Sequence, residues 1–418
     1  MRIFFRNRLF LWFCFLVPAH QLFAQTQKIY LNPATAGAAP QSKFVEITRI
    51  TPIDAPNEKI NTNTSLFITS KYWILYDYFE KKIYFFTKEA KFIQKFELKK
   101  YGDPVIVYDG KNEILKFNIK NKNYILTNND LVNIRANADK KANQKYFKNY
   151  EIDLKQAQLQ LKNTPTDPYF IANARWYYND YYYRSDLAID PNTKDTLGYE
   201  LELLQNNKVV RSFFPFNKTS NPIFRYAAIN SGAQIYLYGS DTASIAYTAR
   251  PFNSIIYKLD KDSIQPVYEV ILPAENAIPR SVLSNGFKSK AAWENFQNSN
   301  GNIFFSINSI RNIQNYLFLG IRFMRNYDHF LYDKKESKFY KNKMIKADSS
   351  QYNIQLLQSG LGQYNNGSYY TIVPASALVD FYTKNKENNV AYPPALEQFL
   401  KSATKNSNPV IVEYKLKN

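Results

Sequence analysis

The chain is nearly free of cysteine, histidine and methionine and is poor in glycine: its 418 residues hold one, two, three and 12 of them. Cys14 and one histidine, His20, both fall in the first stretch of sequence, which reads as an export signal. Arg2, Arg6 and Arg8 form a positive region, Leu9 to Val17 an apolar run, and Leu22-Phe23-Ala24 a small-residue exit, so cleavage is expected between Ala24 and Gln25. The apolar run is shorter than the roughly 20 residues of a membrane-spanning helix, so no transmembrane segment is expected in the mature chain. Loss of Cys14 excludes disulfides, thiol nucleophiles and cysteine-ligated zinc. A single remaining histidine, His329, excludes histidine pairs and histidine-based metal clusters. No metal and no other cofactor is expected. Neither a Ser-His-Asp set, a phosphate loop nor a dinucleotide fingerprint occurs.

Acidic residues are also few, 35 Asp plus Glu against 54 Lys plus Arg, for a net charge of +19. The lysines are scattered among Asn, Tyr, Phe and Ile, all with A/T-rich codons. A biased genome could therefore produce the excess without a specific basic patch, and no specific nucleic-acid partner is expected.

What is abundant is aromatic: 34 Tyr and 31 Phe. Broad and β-branched side chains favour strands. Ser254 to Ser263, followed by Val267 to Leu272, reads as two strands and a polar turn, with Ile255, Tyr257 and Leu259 on one face. Variants recur, as in Tyr72 to Asp77 with Ile83 to Phe86, Val105 to Asp109 with Glu113 to Asn118, and Tyr316 to Phe323 with Phe330 to Tyr340. The spacing is near the 40-odd residues of a propeller blade. Residues 25–42 read as an exposed leader, about 133–166 as a polar insertion, and the stretch from Pro279 to Asn302 as loop. Short helices are expected after Pro374 and Pro393. The final strand, Asn408 to Leu416, is expected to complete a blade begun by the N-terminal strand. The fold class is all-β: one six-bladed β-propeller over 43–418, with short C-terminal helical insertions.

Ile83-Tyr84-Phe85-Phe86, Ser212-Phe213-Phe214-Pro215-Phe216, Ser254-Ile255-Ile256-Tyr257-Lys258, Phe330-Leu331-Tyr332-Asp333-Lys334 and Asn408-Pro409-Val410-Ile411-Val412 follow one another in the order of a family's landmarks. On these the chain resembles the six-bladed β-propeller proteins exported by Bacteroidota bacteria, which are distantly similar to NHL-type propellers. The resemblance implies the fold and a periplasmic or extracellular address. It supplies no catalytic residues.

The candidate ligand surface is Trp176, Tyr178, Tyr181, Tyr183 and Arg184, whose rings could stack on a sugar or base or else pack between blades. Asp190 to Asp195 superficially resembles a calcium loop but lacks its glycine and terminal glutamate, and reads as a hairpin turn. Asp77, Asp109, Asp260 and Asp333 end strands at similar blade positions. They would converge if they faced the channel, but aspartate there more often caps a turn. The reading is a non-catalytic binding module for a glycan or a cell-envelope protein. The alternative is a polysaccharide lyase or hydrolase with a Tyr, Arg and carboxylate site at the channel mouth.

Overall fold

The computed structural model describes residues 26–62, 64–99, 104–110, 112–120, 147–164, 174–178, 181–185, 198–205, 208–217, 219, 221–223, 237–239, 245–260, 263–358, 360–388 and 390–417; of 174–178, 181–185 and 237–239 it describes the backbone alone. The expected signal segment with Ala24 and Gln25 lies outside these residues. So does the hairpin expected at Asp190 to Asp195. Strands β1 (Gln27–Tyr30), β2 (Gly37–Pro40) and β3 (Val45–Pro52) come first. Six sheets follow in chain order. Sheet I holds β4–β7 (Thr64–Ile68, Trp73–Asp77, Lys82–Phe86, Phe92–Glu97). Sheet II holds β8–β11 (Pro104–Asp109, Ile114–Lys120, Phe147–Asp153, Lys162–Thr164). Sheet III holds β12–β15 (Ala174–Tyr178, Tyr181–Ser185, Gly198–Gln205, Lys208–Phe216). Sheet IV holds β16–β19 (Leu237–Gly239, Ile245–Ala249, Ile255–Asp260, Ser263–Ile271). Sheet V holds β20–β23 (Phe304–Asn312, Tyr316–Phe323, Tyr327–Asp333, Lys338–Lys346). Sheet VI holds β24–β26 (Gln363–Asn365, Ser368–Val373, Val410–Leu416) and is completed by β3, with Val45 opposite Leu416 and Pro52 opposite Val410. The expected pairing of the two chain ends is therefore present.

The sheets are joined face to face by apolar clusters, as two-sided sheets require. Leu75, Tyr84 and Phe86 of sheet I pack with Ile411 of sheet VI. On its other side, Ile74, Ile83 and Phe85 pack with Leu115, Phe117 and Ile152 of sheet II. Leu201 and Leu203 of sheet III meet Ala246 and Leu259 of sheet IV. Ile256 and Val270 of sheet IV meet Leu319 and Phe330 of sheet V, and Phe318 and Leu331 of sheet V meet Val412 and Tyr414 of sheet VI. Between sheets II and III no apolar cluster occurs among the described residues. The arrangement is mostly β and propeller-like.

Three expectations are corrected. The segment 25–42 is not an exposed leader: β1 pairs in parallel with the outer edge of β19, and β2 with that of β23. Ile29, Leu31 and Gln41 are buried. Beyond β3, Asp54 bridges in parallel to Lys91 beside β7, so the segment from Gln27 to Asp54 runs along the outside of sheets IV, V, VI and I. Such cover removes unpaired outer edges, while β15 is instead interrupted by Phe214 (φ 57°) and Pro215. The polar insertion is narrower than 133–166, because Phe147–Asp153 is the third strand of sheet II. Its Tyr150 and Ile152 face the sheet I cluster while Asn149 and Glu151 alternate with them. The stretch after Pro279 is not loop. It forms α1 (Arg280–Asn285) and α2 (Lys290–Ser299), the latter capped by the Ser289 hydroxyl accepting from the Ala292 amide and anchored by buried Trp293. In β18, Tyr257 and Leu259 do share a side with Ile255, toward sheet III, where Tyr257 packs on Phe214 and Leu259 clusters with Leu201 and Leu203, while Ile256 is fully buried on the other side against sheet V. The two expected C-terminal helices are α3 (Ala375–Lys384) and α4 (Pro394–Ser402).

Candidate functional site

The turns that join first to second and third to fourth strands occupy one end of the sheets. The long described connections, 53–63, 272–303, 347–362 and 374–409, all leave from the other end. Loops presented on one end of a rigid scaffold are where binding groups collect. There, the 53–63 connection and the end of α4 with residues 403–409 enclose an open groove of about 560 Å³. Its lining includes Asp54, Asn57, Glu58, Lys59, Asn406, Ser407 and the half-buried ring of Phe399.

The sequence explains why this loop holds its shape. Asn408 precedes Pro409, which cannot donate a backbone bond, and its amide side chain is directed into the loop. Its Oδ1 accepts from the Ile60 amide at 3.0 Å, and its Nδ2 donates to the carbonyls of Ala55 at 3.1 Å and Glu58 at 3.0 Å. Ile53, Ala55 and Ile60 are buried in the sheet I cluster, so the alternate polar residues are turned outward. Lys95 donates to Glu58 Oε1 at 2.7 Å, and this bond raises the lysine pKa. Beneath it, burial pushes the Tyr84 hydroxyl up to about 12, with the Glu58 charge adding to the effect. Asp54, Asn57, Lys59 and Asn406 stand exposed around the groove, and among the described residues their side chains have no hydrogen-bonding or ion-pair partner. Together they offer a carboxylate, two amides and an ammonium beside one aromatic ring.

Three of the four aspartates singled out in the sequence serve turns, while the Asp260 carboxylate lies 3.6 Å from Lys258 Nζ. Asp77 Oδ1 accepts from the amides of Phe79 and Glu80 at 2.9 Å, Asp109 Oδ1 from Asn112 at 3.2 Å, and Asp333 Oδ1 from Lys335 at 3.0 Å and Glu336 at 3.1 Å. Nor are their positions equivalent. Asp109 ends a first strand, Asp77 a second, and Asp260 and Asp333 third strands, so Asp77 lies at the opposite end of the sheets from the other three. They do not converge. Trp176 pairs across strands with Tyr183, Tyr178 with Tyr181, and Arg184 with Glu202. The side chains of Trp176, Tyr178, Tyr181, Tyr183 and Arg184 lie outside the described residues. His329 sits on β22, its ring edge-on to Tyr327 with centroids 4.7 Å apart. Burial lowers its pKa, and Asp328 opposes that shift.

One charged pair escaped sequence reading. Glu200 is fully buried in sheet III and accepts from Arg250 of sheet IV, through Nε at 3.0 Å and through Nη2. The guanidinium lies 4.8 Å over Phe214. Burial pushes the Glu200 carboxyl up, and the Arg250 fork opposes it. The available signal was a glutamate inside the apolar run Leu197 to Leu204. Among the described residues, no group of three or more His, Cys, Asp or Glu is placed to hold a metal ion. No described helix is long and apolar enough to cross a membrane.

No protein-family model matches the chain. No curated protein matches it either. Among solved structures, a Bacteroides fragilis protein described as exported is similar over 94% of this chain and 100% of its own, at 12% identity and a TM-score of 0.54. A member of the DUF4221 family from Bacteroides vulgatus is 12% identical over 90% of this chain and 99% of its own, at a TM-score of 0.40. The β-propeller domain of a Pyrococcus furiosus protease is 10% identical over 64% of this chain and 63% of its own, at 0.29. At such identities the first likeness concerns the fold alone, and the other two carry no argument here.

Proposed function

We propose that this chain is an exported, non-catalytic binding protein whose six sheets close into a six-bladed β-propeller, distantly NHL-like, and whose groove at Asp54 to Lys59 takes a glycan. Support for the ring comes from the apolar clusters that join sheets III to VI and I to II in succession, with β3 supplied to sheet VI by the opposite end of the chain. Export is supported by the sequence pattern that ends at Ala24 and by the fold shared with the Bacteroides fragilis protein.

The observation that carries the ligand class is the set of unpartnered polar side chains on a pinned loop. The amides donate to and accept from adjacent hydroxyls, the carboxylate accepts from them, and Phe399 offers an apolar surface beside them. A site already held in shape loses less freedom on binding. Binding is favoured over hydrolysis because acid–base cleavage of a glycosidic bond needs two carboxyl groups. Of the two in the groove, Glu58 is committed to Lys95.

A thermal-shift screen of residues 25–418 against neutral glycans, anionic glycans and metal ions tests the reading. A glycan at about 100 times its dissociation constant stabilises by about 2.7 kcal/mol. That shift should survive moderate salt and disappear in Asp54→Ala with Asn57→Ala. A shift seen only with polyanions at low salt would instead report the net charge. Stabilisation by no glycan would reject the reading.

A further inference from the structure

Resting on the groove reading, we infer that the site continues onto Tyr78 and Phe79, and that the ligand is therefore an extended oligosaccharide rather than a single sugar. Phe79 is 71% exposed and Tyr78 53% exposed, the two largest aromatic exposures in sheet I. Exposed rings on a loose turn would need no explanation. This turn is held.

Fully buried Asp77 accepts from the amides of Phe79 and Glu80, both at 2.9 Å. Lys81 closes the turn in the left-handed region at φ 53°, and its carbonyl accepts from the Leu98 amide at 2.7 Å. The Tyr78 ring packs on Tyr76 with centroids 4.7 Å apart, and its hydroxyl shares a 2.8 Å bond with Ser65. The Tyr78 ring cannot turn without breaking its contacts, and the held backbone keeps Phe79 at the exposed tip of the turn.

The turn is also tied to the groove. Asn61, on the same connection as Asp54, Asn57 and Lys59, donates to the second oxygen of Asp77 at 2.6 Å. From Asn57 to Asn61 the chain spans at most about 14 Å when fully extended, at ~3.5 Å per residue. The aromatic turn and the polar groove thus stand on one short backbone segment, at the same end of the sheets, with Asp77 fixing their relation. A flat ring face flanked by hydroxyl, carboxylate and ammonium groups suits a sugar, which has apolar C–H faces and polar edges. A protein partner would be expected to cover a broader apolar patch around the two rings. Here the neighbours are Glu80, Lys81 and Lys82.

The test is calorimetric titration of the mature protein with cellobiose and cellohexaose, maltose and maltohexaose, and diacetylchitobiose and its hexamer. For the series that binds, the hexamer should bind more tightly than the dimer. Phe79→Ala should remove that advantage, a weakening of the hexamer of about 10-fold, equivalent to ~1.4 kcal/mol, and leave dimer affinity unchanged. Asp54→Ala with Asn57→Ala should weaken both. Tyr78→Phe, which keeps the ring and deletes the hydroxyl, should retain most of the advantage and guards against a folding artefact. Equal dimer and hexamer affinity, or a Phe79→Ala protein that keeps the wild-type preference, would overturn the extension while sparing the groove. Binding of no sugar in the panel would overturn the groove reading and the extension with it.

Discussion

Asn408→Ala should release the groove loop while leaving the sheets intact. The side chain makes three bonds of 3.0–3.1 Å to the loop backbone, each worth about 0.5–1.5 kcal/mol net. Ile60 is 4% exposed, so its amide would lose its partner without gaining water, a cost of about 1–3 kcal/mol. Some relaxation of the two carbonyls toward solvent offsets part of the loss, leaving a local destabilisation of about 2–3 kcal/mol. At 1.4 kcal/mol per tenfold, deuterium exchange at the Ile60 amide should accelerate by about 30- to 140-fold. Amides in β5 and β6 should be unaffected. Asn408→Asp separates the terms: it keeps the acceptor for Ile60 but sets a carboxylate against the Ala55 and Glu58 carbonyls, so Ile60 stays protected while the loop loosens. Exchange at Ile60 within about threefold of wild type in Asn408→Ala, or ~0.7 kcal/mol, would refute the assignment of the clamp.

Glu200→Ala leaves the Arg250 guanidinium, 20% exposed, without its carboxylate; urea unfolding should show a loss of about 3–5 kcal/mol, and the double change Glu200→Leu with Arg250→Met a smaller one. Removing residues 25–40 uncovers the outer edges of β19 and β23, and light scattering should detect self-association together with a lower melting temperature. Because burial lowers the His329 pKa below the ordinary 6.5, its contribution to stability is present above that value and lost as pH falls through it. Melting temperature should therefore drop between about pH 7 and pH 5, and drop less in His329→Gln. The imidazole proton resonance of this residue should titrate below 6.5.

Much of the fold was legible because the sheets are built from short alternating or apolar runs bounded by polar turns. The hairpin of β18 and β19 and the return of β26 to the N-terminal strand could both be read from the sequence. What escaped was set by packing. A sheet covered on both sides needs apolar residues of both parities, so a reading of one apolar face of β18 left out Ile256, which is buried on the other. Gln27 to Pro40 looked like a leader because four-residue strands with one buried isoleucine leave no periodic signal, and their partners lie more than 200 residues away. The helix at Lys290–Ser299 was hidden by its weakly apolar face, Trp293 and Phe296 among Lys, Glu, Asn and Gln. The groove was invisible for a different reason: Asp54, Asn57, Lys59 and Asn406 are ordinary loop residues, and only the fold brings 54–59 beside 406–408. The aspartates misled in the other direction, since ring equivalence was inferred from similar local sequence around strands of different rank.

The most direct test of the central claim is calorimetric titration of the glycan found by the thermal-shift screen into three proteins: wild type, Asp54→Ala with Asn57→Ala, and Trp176→Ala. If the groove is the site, the double variant loses binding by at least about 5-fold, two hydrogen-bonding side chains at ~0.5–1.5 kcal/mol each, and Trp176→Ala binds as wild type. Unchanged binding by the double variant, with loss in Trp176→Ala, would place the ligand on the aromatic strands of sheet III and contradict the account.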